Sequence, residues 1–117
     1  MDPIPYYFEP INRNAFLVRP KQPFFDWLNA VYSDETPTTE KHECNIYLIH
    51  EMESNQAIAM WLKTNFEDIF DNELNDWCTD EDTWPPNRGS KMFSEWFDVE
   101  FHSMLLDLED DPVLKDM

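Results

Sequence analysis

A chain of 117 residues has the ordinary size of one domain and can bury about two-thirds of its unfolded surface in one core, so a single domain over 1–117 is expected without disulfide or metal staples. Its 25 Asp and Glu against 8 Lys and Arg give a formal net charge of −17. That balance excludes nucleic acid or an anionic membrane bound through phosphate contacts, which need clustered basic side chains, and it favours a basic protein as macromolecular partner.

Nine Phe, five Trp and four Tyr supply much of the expected core, since each aromatic ring buries a large area. Met1-Asp2-Pro3-Ile4-Pro5 has no basic residue and no signal-peptide apolar run, and no later apolar stretch approaches a membrane span, so a cytoplasmic location is expected. Cys44 and Cys78 match no CxxC or Cys/His ligand spacing and read as free thiols in a reducing compartment.

In chain order, Pro3, Pro5 and Pro10 predict an irregular arm over 1–13 whose Ile4, Tyr6, Tyr7 and Phe8 lie against the domain. Ala15-Phe16-Leu17-Val18 is a short apolar run bounded by Arg19-Pro20, suited to a buried strand. Pro23 opens a helix to about Tyr32, with Phe24, Trp27, Leu28 and Val31 on one face. A polar loop from Ser33 to Glu43 leads into a second strand, Asn45 to His50, rich in β-branched and aromatic residues.

Ser54 is a candidate N-cap. From Ile58 the apolar positions Trp61, Leu62, Phe66, Ile69, Phe70, Leu74 and Trp77 keep helical spacing for almost six turns, as one helix or as two with a kink near Asn65. Trp84-Pro85-Pro86 is a rigid connection, after which Ser90 is placed to cap a short helix carrying Met92, Phe93, Trp96 and Phe97. Val99 to Leu108 alternates with apolar residues on both faces and reads as an interior strand, followed by an acidic tail over 109–117. The order β-α-β-α-α-β predicts an α+β fold, a small sheet of about three strands with helices packed on it.

Gly89 is the only glycine. Phosphate-cradling loops, dinucleotide-binding turns and the nucleophile elbow all need several, so none can be built, and left-handed turn positions fall to Asn65, Asn72 or Asn87. His102, Ser103 and Asp107 make a poor relay, because neighbours in a strand point to opposite faces. His42, Cys44 and His50 lack the ligand spacing of zinc sites, and Asp80-Glu81-Asp82 lacks the mid-loop glycine and alternation of a calcium loop. No catalytic residue, metal site or cofactor is predicted.

The acids carry more information. Between Lys63 and Arg88 stand Glu67, Asp68, Asp71, Glu73, Asp76, Asp80, Glu81 and Asp82, with no basic residue among them. Those from Glu67 to Asp76 span roughly 14 Å of helix, about one charge per 3 Å, against about one per 1.7 Å of duplex DNA. They also sit where negative charge opposes the helix dipole, at a cost of a few tenths of a kcal/mol for each conflict. A solvated face that maintains solubility is one reading; a surface for a basic partner, around Glu67, Asp68, Asp71 and Asp76, is the other. Arg88 is expected either ion-paired to one of these acids or stacked on Trp84. The alternative is an aromatic pocket in which Trp84, Arg88 and His102 hold an anion, a small molecule or a metal.

Trp77, Trp84-Pro85, Asn87-Arg88, Phe93, Trp96-Phe97-Asp98-Val99, His102-Ser103-Met104 and Asp107-Leu108, together with Phe16, Val18, Pro23-Phe24 and Asp26-Trp27-Leu28, form a pattern. It resembles that of a set of small, acidic, uncharacterised proteins encoded in bacterial genomes. The likeness covers most of the chain. It implies a bacterial cytoplasmic origin and brings no activity or site residues with it. The reading that follows is a non-enzymatic binding or regulatory protein, of the immunity or inhibitor kind, with oligomeric state and partner identity left open.

Overall fold

The computed structural model describes residues 9–34 and 44–116; the expectations for 1–8, for His42 and for most of the 33–43 loop fall outside them. Its elements are β1 (Arg13–Pro20), α1 (Gln22–Val31), β2 (Asn45–His50), α2 (Asn55–Asn75), a single 3-10 turn (Glu81–Thr83), α3 (Ser90–Trp96) and β3 (Phe97–His102). The α+β fold and the order β-α-β-α-α-β are as the sequence predicts. The three strands form one sheet in the order β2-β1-β3, and both pairings are antiparallel.

β1 is the central strand because its apolar residues meet partners on both sides. Phe16 stands opposite Tyr47 and Phe101, and Val18 opposite Asn45 and Val99. Successive side chains alternate across a sheet. Phe16 and Val18 are therefore fully buried under the helices, while Arg13 and Arg19 of the other face are exposed.

The third strand differs from expectation in length and place. It ends at His102, starts at Phe97 and lies at an edge of the sheet. Phe97, Val99 and Phe101 face inward, whereas Asp98, Glu100 and His102 are exposed, the pattern of a strand covered on one face only. Beyond it, the Ile11 N–H donates to the Leu105 carbonyl at 2.7 Å and Pro10 bridges Leu106, so the edge continues raggedly along the arm. Met104, Leu106 and Leu108 are exposed.

α1 starts after Lys21, which contributes no capping side chain, and carries Pro23 in its first turn; Phe24 and Leu28 are its buried residues. α2 is one continuous helix of 21 residues. The Ser54 hydroxyl accepts from the Ala57 N–H at 3.1 Å, the expected N-cap. Ser54→Ala should cost about 1 kcal/mol, read as a lower urea midpoint at unchanged slope. α3, by contrast, is capped at Gly89 and has Ser90 as its first helical residue. Of the three asparagines considered for left-handed backbone, Asn87 takes it, with φ of 56°, at the end of the Trp-Pro-Pro connection; Asn65 and Asn72 lie inside α2.

The core joins every main element. Phe24 of α1 is fully buried, with ring centroids 5.4 Å from Phe97, 5.5 Å from Trp27 and 6.2 Å from both Trp77 and Trp96. Phe70 of α2, also fully buried, lies 5.7 Å from Phe93 and Trp96 and 5.4 Å from Phe97.

Candidate functional site

The structure uses the acids of α2 in different ways. Glu67 and Asp68 are exposed, and neither forms an ion pair among the described residues. Asp71 is paired with Arg88, Oδ1 to Nη2 at 2.5 Å. Arg88 Nη1 also donates to the Pro85 carbonyl at 3.1 Å, and the guanidinium carbon lies 5.5 Å from the ring centroids of both Phe70 and Trp84. Both arrangements expected of Arg88 thus occur together. The arginine fastens the 77–89 connection to α2.

Toward β2, Asn45 Nδ2 donates to Asp76 at 2.6 Å and to Glu73 at 2.7 Å. The Tyr47 hydroxyl donates to the same Glu73 carboxylate and accepts from Asn72 Nδ2 at 2.8 Å. Glu73 is only 3% exposed. Burial pushes its carboxyl above the usual range, and the neighbouring Asp76 charge adds to this, while the hydrogen bonds from Tyr47 and Asn45 oppose it. Burial and the same carboxylate raise the Tyr47 phenol as well.

Glu73 is therefore part of the junction between α2 and β2, although the sequence reads as if it belonged with its exposed neighbours. Its signal was its place on the apolar stripe, four residues after Ile69 and three after Phe70. In the following turn the Asp80 carboxylate accepts from the Asp82 N–H at 3.1 Å, and Asp80, Glu81 and Asp82 are exposed.

The three residues of the alternative pocket do not meet as a set. Trp84 and Arg88 are together, with Trp84 Nε1 donating to the Cys78 carbonyl at 2.9 Å. His102 projects from the exposed face of β3, and its Nε2 lies 2.9 Å from Glu100, whose carboxyl this contact lowers. Neither Cys44 nor Cys78 is in a disulfide. No group of three or more His, Cys, Asp or Glu side chains suited to a metal occurs among the described residues.

A cleft of about 550 Å³ opens where α2, α3 and β3 meet. Its floor is Leu62 and Phe66 of α2, Phe93 of α3, and Phe97, Val99 and Phe101 of β3. Lys63 of α2 and Lys91 of α3 also line it; both are exposed, and neither is in an ion pair among the described residues. Sequence reasoning missed this site because its parts come from three elements and its phenylalanines read as core.

No described helix is long and apolar enough to cross a membrane. Compared with protein-family models, with curated proteins and with solved structures, the chain matches none.

Proposed function

We propose that the protein is a non-enzymatic binding or regulatory protein, of the immunity or inhibitor kind, acting in the bacterial cytoplasm on a basic protein partner. The observation that carries this reading is the adjacent pair Glu67 and Asp68, exposed and without an ion pair among the described residues, on a helix whose other acids are engaged internally. Asp71 is held by Arg88 and Asp76 by Asn45, so the contact surface centres on Glu67 and Asp68, with Asp80, Glu81 and Asp82 of the next turn as its continuation. The formal net charge of −17 supplies long-range attraction for a cationic partner, which speeds encounter and weakens with salt.

Immobilised protein should retain a basic protein from bacterial lysate at low salt and release it at high salt. Once that protein is purified, Glu67→Lys with Asp68→Lys should weaken binding by about 1–2 kcal/mol, a five- to thirtyfold loss. Empty or salt-insensitive recovery would overturn the reading.

A further inference from the structure

Of the nine large apolar side chains exposed among the described residues, five lie in the C-terminal segment: Met104 at 70%, Leu106 at 53%, Leu108 at 64%, Val113 at 75% and Leu114 at 79%. Its first residues are anchored by the pairing of Leu105 and Leu106 with Ile11 and Pro10. From Asp107 to Asp116 no residue belongs to a helix or strand. Leu106 and Leu108 alternate with Asp107 and Glu109, and Asp110 and Asp111 follow. In an extended conformation such a segment presents leucines on one side and carboxylates on the other.

The cleft between α2, α3 and β3 has the complementary character. Its lining is largely aromatic and aliphatic and includes two of the eight basic residues of the chain, Lys63 and Lys91, neither ion-paired among the described residues, while the one acid that lines it, Asp98, is paired with Lys21 at 3.7 Å. Lysine carries its charge on a flexible four-carbon stem, which lets the ammonium reach a carboxylate above the floor while the leucines enter below.

We infer that this cleft is a binding site for an extended, acidic, leucine-bearing peptide, and that its occupant is the C-terminal segment of a second copy of this chain. Reciprocal exchange, each copy giving residues 104–114 to the cleft of the other, closes a two-fold dimer and covers both the exposed leucines and the open floor. The net charge of each copy opposes association. At physiological salt, however, that repulsion is screened beyond roughly 8 Å, and the contacts within the cleft are attractive.

Sedimentation velocity on the full chain over a wide concentration range tests the inference. A dimer is expected, weakened about tenfold or more by K63E/K91E and, separately, by L106S/L108S. All four positions are exposed, so the variants should keep the circular dichroism of the parent. R13E/R19E makes the same charge change on exposed residues outside the cleft and should leave the dimer largely intact. Mixing the two weakened variants should give a heterodimer tighter than either variant's own dimer, because one complete tail-and-cleft contact is regained.

A full chain that stays monomeric overturns the inference, whether its tail packs back on its own cleft and resists protease or the cleft takes a small amphipathic carboxylate such as decanoate. A dimer indifferent to both variants, or one equally weakened by R13E/R19E, also overturns it.

Discussion

Phe24→Ala should lower stability by about 3–5 kcal/mol, the usual cost of removing a buried ring from a site that cannot collapse around the loss. Phe24 is fully buried and touches rings from four places in the chain: Trp27 in α1, Trp77 beyond α2, Trp96 in α3 and Phe97 in β3. These neighbours belong to separate elements, so movement of one cannot fill the space without disturbing the others. Against a total stability of about 5–15 kcal/mol the loss is severe, and with a urea slope of about 1–3 kcal/mol/M the unfolding midpoint should fall by roughly 2 M. Phe24→Leu, which keeps most of the volume, should cost distinctly less. If both variants unfold close to the parent midpoint, the aromatic cluster is not the centre of the core.

The second large effect is a dependence on pH at Glu73. Burial raises its carboxyl above the ordinary carboxylate range, so in the folded protein the proton is held over a range where the unfolded chain has already released it. Stability contributed in this way is present below the unfolded pKa and is lost as pH rises through the folded one. Urea midpoints should therefore fall as pH climbs from the ordinary carboxylate range toward neutrality. Glu73→Gln keeps the shape and removes the titration, so its curve should be shallower; parallel curves for the two proteins would exclude Glu73 as the source. Glu73→Ala leaves the Tyr47 hydroxyl without its carboxylate acceptor and should cost about 1–3 kcal/mol at the acid end of this range, the difference from the parent narrowing as pH rises.

Elements whose signal is local were legible. The stripe from Ile58 to Trp77 specifies a helix through spacing alone, and Ser54 marks its start, because both depend only on residues within a few positions. The last strand was less so. Met104 to Leu108 alternates as well as any strand, but β1 already takes β2 and β3 as its two neighbours, and the pairing past His102 is reduced to one bridge.

Ser90 likewise reads as a better cap than Gly89; the backbone nevertheless turns helical one residue earlier, after the left-handed residue at Asn87. Among the eight carboxylates only Glu73 stands apart in sequence, by its place on the apolar stripe; the other seven look equivalent. What divides them is distant: Asn45 and Tyr47 lie 26 to 31 residues before the acids they bind, and Arg88 lies 17 after Asp71. Local pattern could place an arginine against some acid and against Trp84, but not choose the acid or separate His102 from them.

The strand order has a consequence for synthesis. β1 needs β3 as its second neighbour, yet β1 ends at Pro20 and β3 begins only at Phe97. At about 5–20 residues per second, roughly 4–15 s separate their translation. Throughout that interval one edge of β1, together with Phe16, Val18 and Phe24, is without the partner that completes its enclosure. The nascent chain thus carries an apolar strand edge without its second neighbour until β3 has been made.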